Sequence, residues 1–274
     1  MTLLEQKVIN NTELQFSEHC IGQKWEVIDA NMLYQLIALI IMAQSIHAKN
    51  ILRGLSNGAD VYSDDDLKEE SISKLTIPEG LTDKQRIGHI SHRDGLLFEA
   101  ISWIAATQDT TQNVLIRDPH VIATQQGLDG LMIELNDNKE IIKVTIFEDK
   151  CGEDARSKFR DDILPFFLEV HENKNRRHLI STANALLAKV YEDTEIPRAA
   201  RAIFSHQTRN YRAGLVIKAE QNNEDDRKAI FKNYENVKDL DPSNRIAGTL
   251  VIDNDLRAWF QNFAENVIST IRAM

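Results

Sequence analysis

Ile141 to Lys150 reads IIKVTIFEDK, a strongly apolar segment that ends in charge. Side chains of a strand alternate between its two faces. Ile142, Val144, Ile146, Glu148 and Lys150 therefore share one face, and Lys143, Thr145, Phe147 and Asp149 share the other. An acid and a lysine at the end of a buried strand are expensive as packing alone. Asp129 opens the preceding apolar segment, GLMIEL over 130–135, and Asn136 to Lys139 has the composition of a hairpin loop. In an antiparallel hairpin the start of the first strand lies beside the end of the second. Asp129 is thus expected beside Glu148, with Lys150 adjacent. Two carboxylates that close repel unless a cation neutralises them. A hard divalent ion such as Mg²⁺, with Mn²⁺ as an alternative, does so through oxygen ligands. Such an ion lowers the pKa of a bound water and stabilises charge on a phosphoryl oxygen. The lysine is placed to orient or deprotonate that water.

The spacing acid-x-lysine carries little information alone. It recurs at 5–7, 66–68, 137–139, 172–174 and 226–228, but only 148–150 closes an apolar strand with an Asp-Gly strand start upstream. The elements around it have a definite order. A helix is predicted from near Ser91 to Thr107, with Asp94 in a capping box. It is apolar almost all round from Gly95 to Gln108, and its one charge there is Glu99. A lone carboxylate in such a helix needs a cation, a metal or an edge position. A strand follows at Val114–Ile116, extended toward Ile122, and then come the two strands that bear Asp129 and Glu148. Asp118 and Glu134 are expected in turns or on the surface. A helix is predicted from Glu153 to Glu172, kinked or split by Pro165. It carries Arg156, Lys158 and Arg160, placed to receive phosphates or else to form a solvated face. Further on, a helix is expected over 181–190, strands over 213–219 and 246–252, and an amphipathic helix over 254–272.

This order resembles the core of the PD-(D/E)XK nuclease superfamily. The family pattern has an aspartate on one strand, acid-x-lysine on the next, and often a glutamate on the preceding helix. Matched residue by residue, Asp129 takes the aspartate, Glu148 and Lys150 the acid-x-lysine, and Glu99 the helix glutamate. The resemblance spans roughly residues 88–220 and departs from the pattern where Leu128, not proline, precedes Asp129. It implies an α/β fold, with a mixed central sheet flanked by helices in a restriction-endonuclease-like core. It also implies Mg²⁺-dependent hydrolysis of nucleic-acid phosphodiesters, DNA foremost, with Asp129, Glu148 and Glu99 as metal ligands. Within the superfamily the chain is similar to the nuclease subunit of Hachiman-type phage-defence systems. That implies a protein partner such as a helicase, or a second copy of the chain. A non-catalytic, nuclease-like subunit that binds nucleic acid or a protein is the alternative.

Residues 1–87 are expected to form a mainly helical N-terminal region, ahead of a nuclease-like domain over 88–274. One long helix is predicted from Asp29 to Gly54, followed by a polar loop from Leu55 to Thr82. The apolar run Met32–Ile46 is too short to span a bilayer and suits a core helix or, if exposed, a docking surface. The 274 residues, 42% hydrophobic and 27% charged, suit a folded chain with a sizeable core. The net charge of -10 argues against tight non-specific nucleic-acid binding. Acid concentrates over 93–155, which is -7, and the next stretch to 212 is +4. Two cysteines without CxxC argue against a disulfide scaffold or a zinc site. They, and an N-terminus without an apolar leader, fit a cytoplasmic protein. The eight histidines include no HExxH, and no P-loop or Rossmann signature occurs.

Overall fold

A computed structural model describes residues 7–54, 65–110, 113–120, 127–174, 176–253 and 255–274. Its strands are β1 (Ile9–Leu14), β2 (Ile21–Val27), β3 (Val114–Ile116), β4 (Gly130–Leu135), β5 (Ile141–Lys150), β6 (Arg209–Lys218) and β7 (Arg245–Ile252). They form a single sheet in the order β1-β2-β7-β6-β5-β4-β3. The central strands β2, β7, β6 and β5 run parallel, and β1, β4 and β3 are antiparallel to their neighbours. Its helices are α1 (Ala30–Ile41), α2 (Ser45–Leu52), α3 (Asp65–Leu75), α4 (Asp83–Thr107), α5 (Ala155–Ser157), α6 (Leu164–His171), α7 (Arg176–Leu187), α8 (Ile196–Ile203), α9 (Glu224–Ile230) and α10 (Leu256–Ala273). The chain is therefore α/β with a mixed sheet flanked by helices, as its sequence suggests.

Each face of the sheet is buried under its own core. Phe147, Val216 and Leu250 point toward α1, α4 and α10, whose Leu36, Ile101 and Phe260 complete one core. Ile146, Leu215 and Ala247 point the other way, into a core with Phe159, Phe167 and Leu187. Burial on both faces explains the apolar runs within β5, β6 and β7.

Several boundaries differ from the expected ones for identifiable reasons. The expected long helix over 29–54 is two helices. Asp29 does cap α1, accepting from the Met32 N–H at 3.0 Å, but Ala43 adopts a left-handed φ of 61° that ends it. The apolar stretch is not a docking surface: Leu33 and every residue from Leu36 to Met42 are buried. In the expected 55–82 loop, Asp65–Leu75 is helical, with Asp65 and Asp66 complementing the dipole of its first turn. Residues 55–64 lie outside the described residues, as do 121–126, where β3 was expected to extend. The helix bearing Glu99 starts at Asp83, because Thr82 and Gln85 form a full capping box. Asp94 is accordingly not a cap; it is buried in α4 between Arg93 and Arg257. The boundary expected at 87/88 falls inside α4, and the first 87 residues supply β1 and β2 to the common sheet. Beyond α5, a π-helical turn over Lys158–Ile163 precedes α6. Pro165 at the start of α6 lacks an N–H and crowds the carbonyl four residues back, which accounts for the widened turn.

Candidate active site

Gly130 of β4 pairs with Phe147 of β5, so Asp129 falls opposite Glu148. A Cβ on residue 130 would lie 2.4 Å from the Phe147 ring, so glycine lets the strands meet here. Asp129 Oδ2 accepts the Asp149 backbone N–H at 2.9 Å and lies 3.4 Å from Lys150 Nζ. Lys150 Nζ also donates to Glu148 Oε1 at 2.6 Å. The three expected residues therefore meet, at the carboxyl end of a parallel strand, where open α/β sheets place their ligands.

Glu148 is only 7% exposed, and its Oε2 has no hydrogen-bond partner. Burial, and then the charge of Asp129, push its carboxyl up to about 8. Burial works against the charge on Lys150. Asp129 and Glu148 outweigh it and hold its pKa above the ordinary lysine value. Lys150 is therefore a fixed ammonium between two carboxylates, not a base.

Glu99 reaches the same centre from α4. Its Oε1 accepts both the His120 backbone N–H and Nδ1, each at 2.8 Å. Arg117 Nη2 lies 2.7 Å from His120 Nε2. A guanidinium only donates, so Nε2 accepts and Nδ1 carries the proton given to Glu99. Arg117 also donates to the carbonyl of Leu128, which fixes the residue just before Asp129. Asp129 is thus shared by two groups, Glu99–His120 on one side and Glu148–Lys150 on the other. Sequence reasoning missed His120 and Arg117: neither has a metal-spaced partner, and only the fold brings them to Asp129.

Glu99, His120 and Asp129 each offer a ligand atom, all within 4.8 Å of one another. Both His120 nitrogens are already engaged, by Glu99 and Arg117, so the carboxylates of Asp129 and Glu99, with the orphaned, buried oxygen of Glu148, are the donor set that fits one small divalent cation of the Mg²⁺ or Mn²⁺ class. An all-oxygen set of this kind is unlike a soft-metal site.

The opposite face of β5 carries Asp149, whose carboxyl burial pushes up to about 7, with Arg212 lowering and Asp129 raising it. A Cβ on Gly214 would lie 1.8 Å from Asp149 Oδ1, so the neighbouring strand leaves space for that side chain. Asp118 pairs with Lys49 at 2.9 Å, and Glu134 with Lys143 at 3.1 Å.

Each of the three basic residues beyond the strand already has a partner, Lys158 and Arg160 through exposed ion pairs. Arg156 donates to the carbonyls of Ile230 and Lys232 at 2.9 and 2.8 Å, tying down the end of α9. Lys158 pairs with Asp162 at 2.9 Å, and Arg160 with Asp161 at 2.7 Å. Lys49, paired with Asp118 two residues before His120, is a further cation. Burial lowers its pKa, Asp118 opposes that, and Lys189 and Arg53 add like-charge repulsion.

No known family model matches this chain, and none of the curated proteins is significantly similar to it.

Proposed function

We propose that the chain is a metal-dependent nuclease with a PD-(D/E)XK-type core, hydrolysing phosphodiester bonds of nucleic acid, DNA foremost. The observation that carries this reading is the convergence of Asp129, Glu148 and Lys150, with one buried Glu148 oxygen left unpartnered. In its cellular setting we place it in cytoplasmic phage defence, with a helicase or a second copy as partner. Among the described residues, no helix is long and apolar enough to cross a membrane.

Asp129 and Glu148 would hold Mg²⁺, with Glu99 alongside and His120 orienting the Glu99 carboxylate. The ion would lower the pKa of a bound water and offset charge on the scissile phosphate. Lys150 keeps its proton and orients the phosphate or the attacking water through donated hydrogen bonds, stabilising negative charge as it develops. Arg117 acts at one remove: it fixes the His120 ring and the Leu128 carbonyl, and so the direction of Asp129.

A second reading is favoured by one feature. Lys150 already satisfies both carboxylates, as a structural ion-pair network in a non-catalytic subunit would. One experiment separates the two: Mg²⁺-dependent cleavage of supercoiled, linear and single-stranded DNA, with and without Lys150→Ala. The nuclease reading expects cleavage that EDTA abolishes and Lys150→Ala reduces roughly 100-fold or more. Cleavage that survives EDTA, or an equally active variant, overturns it.

A further inference from the structure

The centre around Asp129 is acidic, and a polyanion brought to it needs cations close by. Arg156, Lys158 and Arg160 are engaged elsewhere. Another group of cations gathers beside α4. Glu99 and Trp103 stand four residues apart on that helix, so they are neighbours on one face, about 6 Å apart along its axis. The Trp103 indole donates to the Arg117 carbonyl at 2.9 Å, and Lys49 Nζ lies 5.3 Å from the centroid of the Trp103 ring. Lys49 also pairs with Asp118 at 2.9 Å. An aromatic ring and a carboxylate thus fix this lysine about one helical turn from Glu99.

Lys49 has company. The Arg53 backbone N–H donates to the Lys49 carbonyl at 3.0 Å, and the two side chains share a face of α2. Lys189 comes from the end of α7, which packs against β3, the strand that leads into Asp118. Burial first, and then the charges of Lys189 and Arg53, disfavour the Lys49 ammonium, while Asp118 opposes them. Arg53 and Lys189 are exposed, and neither pairs with an acid among the described residues. Asp118 therefore offsets one of the three cations. Like charges four residues apart on a helix cost stability. In a chain of net charge -10, acids to pair them are not scarce.

A cationic group left in excess attracts an anion from outside. Its shape suits a strand better than a small ion. Lys49 and Arg53 stand about 6 Å apart along α2, and Lys189 extends the group onto a second element. A row of phosphates meets such a spread, and a single phosphate does not.

We propose that Lys49, Arg53 and Lys189 form the surface that holds the phosphate backbone of the nucleic acid beside the scissile bond. The identity of the ligand rests on the nuclease reading, but the test reads binding and needs no cleavage. Anisotropy of a labelled DNA duplex is measured with the full chain in EDTA at low salt, and cleavage in Mg²⁺ is followed separately. Arg53→Glu with Lys189→Glu reverses the two exposed cations and spares the packed Lys49. Lys84→Glu with Arg86→Glu makes the same change of charge at exposed positions of α4, about 20 Å along the helix from Glu99. The first pair is expected to weaken binding about 10-fold or more and to reduce the salt slope by about two. The second is expected to change affinity by less than about 2-fold, because the distance exceeds the screening length. Circular dichroism checks that both variants fold. Equal losses in the two would reduce the effect to net charge and overturn the proposal. So would unchanged affinity in the first, or no binding by the parent. A parent that binds through this surface without cleaving supports the surface and counts against the nuclease reading. A parent that cleaves, with the first variant binding undiminished, removes the surface alone.

Discussion

Glu148 is held where its charge is least welcome, and that has a measurable cost. Its carboxyl is pushed from the ordinary 4.5 up to about 8, first by burial and then by Asp129. Below pH 4.5 it is protonated in the folded and unfolded chain alike and costs nothing. Between 4.5 and about 8 the unfolded chain releases a proton that the folded chain keeps, so stability falls as pH rises. Above about 8 the penalty is complete. Glu148→Gln removes it. In EDTA, the melting temperature of this variant should therefore drop less than that of the parent between pH 5 and pH 8.5. The gap should open by roughly 2–4 °C for each kcal/mol. Parallel melting curves across that range would show that Glu148 is not ionised at a cost. Lys150→Ala should leave the chain folded while removing activity, and the cleavage assay above checks it. Asp129, Glu148 and Lys150 were legible in the sequence because strand alternation and a short hairpin loop fix their geometry locally. His120 and Arg117 were not. They lie beyond β3, in a segment of no regular pattern, and reach Asp129 only through tertiary packing.

The elements that hold these residues have their own critical positions. Gly130 is one: its Cβ would meet the Phe147 ring at 2.4 Å, and Phe147 is 2% exposed, with the Arg212 guanidinium 3.8 Å from its ring centroid. Gly130→Ala should destabilise the chain by about 1–3 kcal/mol, as overpacking does. Thermal unfolding measures this, and an unchanged midpoint would mean that β4 and β5 meet less closely. Arg156 is another. Its two bonds to the carbonyls of Ile230 and Lys232 make it a fastener for α9. Arg156→Ala should lower stability by about 1–3 kcal/mol and leave DNA affinity unaltered. A selective loss of DNA binding would restore it to the phosphate-contacting role first read from its spacing. Helix starts and hairpins were readable where a few neighbouring residues decide them, as Asp29 and the 136–139 loop show. The break at Ala43 and the π-helical turn before α6 were less so. One rests on a backbone conformation that alanine does not advertise, the other on how a helix accommodates Pro165.

Over the whole molecule, charge is the property a nucleic acid meets first. The net charge is -10, and Lys158 and Arg160, which follow β5, are each paired with a neighbouring acid. Phosphate contacts need clustered, available cations, and their contribution fades as salt rises. The isolated chain is therefore expected to bind duplex DNA with a dissociation constant above micromolar at near-physiological salt. Fluorescence anisotropy with labelled duplex tests this, and submicromolar binding without a partner would refute it. At this scale the sequence was least readable. β1 and β2 went unseen because INNTEL and IGQKWEV are too polar to announce strands, as suits the half-exposed edge of a sheet. Their place depends on a partner far along the chain, for Ile21 pairs with Ile246.

That pairing also sets an order in time. The ribosome makes β7 after every other described strand, yet β7 sits between β2 and β6. Until residues 245–252 emerge, the nascent chain holds two separate pieces of sheet, each with an unpaired inner edge. Such edges invite pairing with other chains, and contacts this distant in sequence form slowly. A chain cut short before β7 would carry Asp129, Glu148 and Lys150 in full but lack the strand that locks β6 beside them. Synthesis of β7 is thus what brings the sheet around these residues together, and copies terminated before it should go to aggregates or proteases.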